Sequence, residues 1–119
     1  MKLINLKIEI DTKKLDEQTK NYFKENGYLG MFEMLLVQGL SSLNPQGLGM
    51  KDGRSFNRIQ KSIDESVNAK VDSINVENAE FDLLKKVFLG DETKFHPTAF
   101  NLVCQFADCL EEASKNKEK

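Results

Sequence analysis

Apolar and polar residues alternate at the start of the chain. The segment Lys2–Asp11 places every second residue on one face, and these residues are Ile4, Leu6, Ile8 and Ile10. Strict alternation predicts a β-strand with one buried face. A single strand leaves its backbone groups unpaired, so it needs a partner, and the best one within the chain is Val71–Val76. Without that pairing, the strand edge would be free to pair between chains.

Helical spacing of apolar residues follows in four later segments. They are Tyr28–Leu40, Arg54–Lys70, Glu77–Leu89 and a last segment from Pro97 to about Ser114. Glu33 is the one charged residue of the first segment. That segment therefore predicts either the central core helix or a helix partly covered by another subunit. Pro97 suits the first turn of a helix, where a missing backbone donor costs little.

Two segments between these elements have the composition of loops. Thr12–Gly27 is polar and predicts a loop with at most a short helical turn. Ser41–Gly53 contains three glycines, two serines, an asparagine and a proline, which predicts a long loop. Loops of this length are uncommon in small domains unless they are functional or mobile. The segment is therefore either a partner surface or a disordered link.

Together these patterns predict an α+β fold, mostly α, with about four helices and a minor two-stranded β element. The length of 119 residues fits one compact domain, which we place at residues 1–114. Residues 115–119 have no apolar anchor and predict a disordered charged tail.

Charge and cysteine content argue against several classes of protein. A formal net charge of −2 disfavours binding to nucleic acid or to an anionic membrane by bulk charge. No apolar run approaches the length of a membrane span, and the N-terminal segment lacks the apolar block of a secretory signal. Cys104 and Cys109 lie about 140° apart on a predicted helix, so we expect two buried thiols that do not bridge. We expect a cytoplasmic protein.

No motif for catalysis or cofactor binding stands out. The acidic residues Glu77, Glu80 and Asp82 cluster at a predicted helix start, where the helix dipole favours carboxylates. His96 is first a candidate helix cap or loop residue, so an enzyme that uses His96 or the acidic cluster is the least favoured hypothesis. The segment Gly47–Gly53 lacks the spacing of a nucleotide-binding loop. One histidine and two cysteines fall short of a zinc site. We expect no enzyme, no cofactor and no metal site.

One basic stripe has the spacing to touch phosphates. Arg54, Arg58 and Lys61 share a helix face, and Lys51 lies just before them. About three or four phosphate contacts would give weak, salt-sensitive binding, and nearby acidic residues lower the local potential. A solvated helix face is the favoured interpretation, and nucleic-acid binding through Arg54, Arg58 and Lys61 is kept as an alternative.

The C-terminal half has a characteristic order of predicted elements. A helix leads into a short strand, followed by a helix that contains E-F-D-L-L-K at Glu80–Lys85 and by a terminal helix that starts at Pro97. With the alternating strand at Met1–Asp11, this resembles small uncharacterised phage-encoded proteins over about half of the chain. The central loop is longer and richer in glycine here. The resemblance implies a phage or mobile-element origin, hence a host cytoplasm, and it carries over no catalytic residue.

These observations favour a non-enzymatic protein-binding accessory protein, an inhibitor that occupies a surface of a host or viral protein. Its candidate partner-binding residues are Leu43, Leu48, Met50, Lys51, Arg54 and Arg58. The alternative is a self-assembling homo-oligomer whose N-terminal strand adds to a neighbour's sheet. Its candidate contact residues are Ile4, Leu6, Ile8, Tyr28, Phe32 and Leu36.

Overall fold

The computed structural model describes residues 2–8, 16–95 and 99–115. Over these ranges the chain forms four helices and two short strands. Their order is β1 (Lys2–Asn5), α1 (Glu17–Leu43), α2 (Met50–Ala69), β2 (Ser73–Val76), α3 (Asn78–Phe88) and α4 (Phe100–Lys115). The predicted α+β fold, mostly α with a two-stranded sheet, is confirmed.

Several sequence predictions concern residues outside these described ranges. Residues 9–11 of the predicted strand, residues 12–15 of the predicted loop, and His96 and Pro97 lie outside the described ranges, as do the tail residues 116–119. Lys115, which was predicted to begin the disordered tail, is the last residue of α4.

The two strands pair antiparallel, as the alternation at the N terminus predicts. Ile4 lies opposite Ile74, and both side chains are completely buried. A 2.8 Å hydrogen bond from the main-chain nitrogen of Leu6 to the carbonyl oxygen of Asp72 continues the pairing past β1. Helix α4 packs against β1 and helix α2 against β2. The apolar face of the small sheet is thereby part of the core.

Helix α1 begins well before its predicted start. The Asp16 carboxylate accepts a 2.8 Å hydrogen bond from the main-chain nitrogen of Thr19, which caps the helix. At Gly27 the backbone leaves helical geometry, with φ 69° and ψ −166°, and the helix resumes at Tyr28. The predicted loop Thr12–Gly27 is therefore wrong for residues 17–26. Its glycine is a break between two helical halves, because glycine adopts positive φ without steric cost.

The predicted long loop Ser41–Gly53 is also wrong in extent. Helix α1 continues to Leu43 and α2 begins at Met50, so the connection is residues 44–49. The Asn44 main-chain nitrogen donates to the Leu40 carbonyl oxygen at 2.9 Å and closes the end of α1. A short, hydrogen-bonded connection makes this segment part of a helical hairpin.

Aromatic side chains join α1, α3 and α4 in the core. The Phe32 ring lies 5.0 Å from that of Phe88 and 5.2 Å from that of Phe106, measured between centroids. Gly39 lets α1 approach α3, since a Cβ at this position would overlap the Val87 side chain. Gly39 lies inside the helix and is buried at this contact.

Candidate functional site

The register of the sheet determines where the backbone groups of β1 point. Pairs that exchange hydrogen bonds alternate with pairs that do not in an antiparallel ladder. Continuing the register makes Leu6 and Asp72 a bonded pair, because the Leu6 nitrogen donates to Asp72. Leu3 and Asn5 are then non-bonded positions, and their N–H and C=O groups point away from β2. The main chain of β1 faces outward at these residues.

A groove of about 380 Å³ runs beside this free edge of β1. We call it the β1-edge groove, and it is lined by Leu3, Asn5, Lys7, Cys109, Glu112 and Ala113. Leu3 is 60% exposed. The Lys7 nitrogen is held by the Asn5 side-chain oxygen at 3.1 Å. Among the described residues, no hydrogen bond involves the outward main-chain groups of Leu3 and Asn5.

The opposite edge of the sheet is partly closed. Asn75 lies opposite Leu3 and is likewise a non-bonded position, so its main-chain groups point away from β1. Its carbonyl oxygen accepts a 2.9 Å hydrogen bond from the Ser62 hydroxyl of α2. A groove of about 390 Å³ also lies here, lined by Ser62, Glu65, Ser66, Ala69, Val71 and Asn75. The bond to Asn75 gives this edge a polar cap from a helix, whereas the described residues supply no such bond to Leu3 or Asn5.

The predicted partner-binding residues do not form one surface of a long loop. Leu48 and Phe56 help to line a small apolar cavity of about 120 Å³ at the connection between α1 and α2. Met50 is 72% exposed at the start of α2. Leu43 is half-buried at the end of α1, while Lys51 and Arg54 are exposed on α2. Met50 is therefore accessible, whereas Leu43 and Leu48 are both half-buried and pack against the core.

Arg58 has a structural partner that the sequence did not indicate. Its guanidinium lies 3.8 Å from a carboxylate oxygen of Glu80, which is almost completely buried between α2 and α3. That oxygen, Oε2, has no hydrogen bond from any described group. Arg58 thus places a positive charge beside a buried carboxylate. The predicted basic stripe is correspondingly weaker, because one of its three helical cations faces an acid.

The predicted self-association residues need correction. Five of the six are buried in the chain's own core: Ile4, Leu6, Ile8, Phe32 and Leu36. Tyr28 is half-buried, with its ring 5.2 Å from that of Phe23. These side chains are occupied by β1, α1 and their neighbours, so they do not offer a contact to a second copy in this fold. Within the described ranges, no residue bonds the outward main-chain groups of Leu3 and Asn5 at the β1 edge.

A larger groove of about 410 Å³ lies between the two halves of α1 and the start of α4. It is lined by Asp16, Gln18, Thr19, Tyr22, Met34, Leu35, Gln38, Ala99 and Leu102. The Tyr22 hydroxyl is 3.4 Å from the Gly30 carbonyl oxygen and links the halves of α1. Tyr22 thus serves the bend of the helix and Asp16 its N-terminal cap, and no charged cluster converges on the groove within the described ranges.

The acidic and thiol groups are placed as follows. Glu77 and Asp82 are exposed, whereas Glu80 is buried. Cys104 is exposed, which corrects the prediction that both thiols are buried, and Cys109 is half-buried. Burial, together with the adjacent Asp108 carboxylate, raises the pKa of the Cys109 thiol. Both thiols are unbridged, and the described residues contain no group of three side chains suited to hold a metal ion.

Sequence reasoning predicted the β1–β2 pairing but missed the β1-edge groove as a surface. The alternation identified the buried residues of β1. Which residues of β1 hydrogen-bond to β2 depends on the register, and these are the even-numbered ones.

No family model, no curated protein and no solved structure matches this chain. None of the helices in the described ranges is long and apolar enough to cross a membrane.

Proposed function

We propose that this chain is a non-enzymatic protein-binding module that accepts an extended segment of a partner along the free edge of β1. One observation carries the proposal: the outward main-chain groups of Leu3 and Asn5, which no described residue bonds, face the β1-edge groove. A third strand would supply hydrogen bonds to these groups, which is the usual way in which a sheet edge binds a peptide. Side chains of the added strand would contact α4 across the groove.

The β1 edge is favoured over the other surfaces for physical reasons. The β2 edge already has a carbonyl occupied by Ser62, and the cavity at Leu48 has room for one side chain. An exposed strand edge, in contrast, presents donors and acceptors at the fixed spacing of a ladder. Cys109 and Ala113 provide apolar surface along the groove, and Glu112 provides a negative charge.

The setting that we propose is the cytoplasm of a host cell, with a host or viral protein as the partner. The resemblance to small phage-encoded proteins supports this origin. The two unbridged thiols suit a reducing compartment. In this setting, the chain acts by occupying an extended segment of its partner.

The test is selection of strand-forming peptides from a library of displayed heptapeptides. Selected peptides are expected to alternate apolar and polar residues, to bind saturably and to slow modification of Cys109. In Asn5→Pro the affinity should fall by about tenfold to a hundredfold, because an outward N–H donor is lost. Proline at this edge position removes no bond to β2. Peptides that bind wild type and Asn5→Pro equally, or failure to select any peptide, would overturn the proposal.

Two controls separate edge binding from other effects. Asn5→Ala keeps the main-chain donor and gives up only the side-chain bond to the Lys7 main-chain nitrogen, so it should lose far less peptide affinity than Asn5→Pro. Cys104 is exposed on the same helix and does not line the β1-edge groove, so its modification rate should not respond to the peptide. Circular dichroism must show the same helical content for both Asn5 variants.

A further inference from the structure

We infer that the strand seated on the β1 edge is β1 of a second copy of this chain, paired antiparallel about a two-fold axis at Asn5. This inference rests on the proposed function, because it names the occupant of the same groove. The two copies would join through main-chain groups that already point outward, and the Lys7 nitrogen would exchange its bond to the Asn5 side chain for one to Leu3 of the second copy.

The sequence of β1 matches its own edge. The two-fold arrangement places Asn5 opposite Asn5 of the second copy and Leu3 opposite its Lys7, so outward positions meet outward positions. Ile4 then lies opposite Leu6 of the second copy, on the face that is buried in each chain. The alternation of apolar and polar faces therefore continues across the junction. An unrelated strand would need to reproduce this alternation, whereas a second copy has it by construction.

Charge favours the same occupant. The β1-edge groove is lined by the chain's own Lys7 as well as by Glu112, and an incoming β1 strand brings a second Lys7 beside the α4 wall. Asp108 and Glu111 are also exposed on α4, which makes the helix beside the groove acidic. A strand with an exposed lysine is complementary to this helix, and two-fold symmetry provides the match twice.

Pairing would also change what the sheet exposes. The strand order becomes β2, β1, β1 and β2. The outer edge of β1, where the described residues supply no hydrogen bond to Leu3 and Asn5, then lies at the centre of a four-stranded sheet. Both remaining edges are then β2 edges, each with its Ser62–Asn75 hydrogen bond. Exposed strand edges are sites of unwanted pairing, and closure by symmetry removes one.

The first experiment measures the mass in solution by light scattering from low to high micromolar concentration. A concentration-dependent dimer is expected for the full chain. Asn5→Pro should weaken dimerisation by at least about tenfold, since two symmetry-related hydrogen bonds are lost. Asn5→Ala keeps the donor and should still dimerise. Dimerisation should slow modification of Cys109 and leave that of Cys104 unchanged.

The second experiment traps the register with a disulfide. Asn5→Cys is placed in a Cys104→Ser, Cys109→Ser background, so that the new thiol faces its own copy at the two-fold axis. Bonded pairs in an antiparallel ladder have Cα atoms about 5.5 Å apart, within reach of a disulfide. Leu3→Cys in the same background faces Lys7 of the second copy and is the matched control. Mild oxidation should cross-link Asn5→Cys and not Leu3→Cys.

The outcomes separate this inference from the proposed function. A chain that is monomeric at all concentrations, yet binds selected peptides in an Asn5→Pro-sensitive way, overturns self-pairing and leaves strand addition standing. A monomer that binds no peptide overturns both. A dimer that persists unchanged in Asn5→Pro, or that cross-links through Leu3→Cys instead of Asn5→Cys, also overturns the inferred pairing.

Discussion

The hydroxyl of Ser62 donates a 2.9 Å hydrogen bond to the main-chain carbonyl oxygen of Asn75. This bond ties helix α2 to the outer edge of β2 and occupies a carbonyl that would otherwise face a groove. A polar cap of this kind stabilises the fold and also makes the edge a poorer acceptor for an added strand.

Ser62→Ala should therefore lower the free energy of unfolding by about 0.5 to 1.5 kcal/mol, the usual value of one such hydrogen bond. Urea denaturation measures the change. Ser41→Ala is the matched control, because Ser41 is exposed near the end of α1, and its change should stay within about 0.5 kcal/mol. Equal effects of the two substitutions would contradict the role assigned to Ser62.

The ion pair between Arg58 and Glu80 gives a second prediction. Arg58→Ala should destabilise the fold by about 1 to 2 kcal/mol, because it leaves a buried carboxylate without its counter-charge. The effect is set below the range for fully buried pairs, since the Arg58 side chain is 60% exposed. Thermal or urea unfolding at neutral pH provides the measurement.

Arg54→Ala is the control for this prediction, as Arg54 lies on the exposed face of the same helix. It should change stability by no more than about 0.5 kcal/mol. Adding Glu80→Gln to Arg58→Ala should restore part of the loss, because the amide carries no charge to compensate. If Glu80→Gln added its own full loss instead, Arg58 would not act through the carboxylate.

Gly39 and Gly53 both lie inside helices but should respond oppositely to alanine. Gly39→Ala should destabilise the protein by about 1 to 3 kcal/mol through overpacking, because its new methyl group would meet Val87, Phe95 and Thr93. The nearest atom to a Cβ at Gly53 is the Leu48 Cβ at 4.0 Å, so Gly53→Ala should stabilise α2 by about 0.5 to 1 kcal/mol. Urea midpoints of both variants test the pair, and a stabilising Gly39→Ala would refute the close contact.

These contacts show why some elements followed from sequence and others did not. The β1 strand was predictable because its alternation of Ile4 and Leu6 with polar residues is a local signal, and its pairing was predictable because one suitable partner segment exists. Residues 17–26 lack a wide apolar stripe, so their helix depends on the Asp16 cap and on packing such as the Phe23–Tyr28 ring contact. Tertiary contacts of that kind have no local pattern.

The candidate site shows the same division. The residues of β1 were identified, but the direction of the main-chain groups at Leu3 and Asn5 depends on the register with β2. Glu80 was recognised as a helix-start carboxylate, while its burial and its proximity to Arg58 arise from the packing of α2 on α3. Glycines misled the prediction at Ser41–Gly53, because Gly53 lies inside a helix and only the connection at residues 44–49 is loop.

The two thiols of α4 should differ in reactivity. Burial and the neighbouring Asp108 carboxylate raise the pKa of Cys109, so less of its reactive thiolate is present at neutral pH. In a Cys104→Ser variant, modification by a maleimide or an aromatic disulfide should be slow near neutral pH and should accelerate as the pH rises through the elevated pKa. The exposed thiol of Cys104, measured in Cys109→Ser, should react faster at neutral pH.

Asp108→Asn should speed the reaction of Cys109 near neutral pH by removing the adjacent negative charge. An unchanged rate in Asp108→Asn would assign the raised pKa to burial alone, and equal rates for the two thiols would contradict the burial of Cys109 itself.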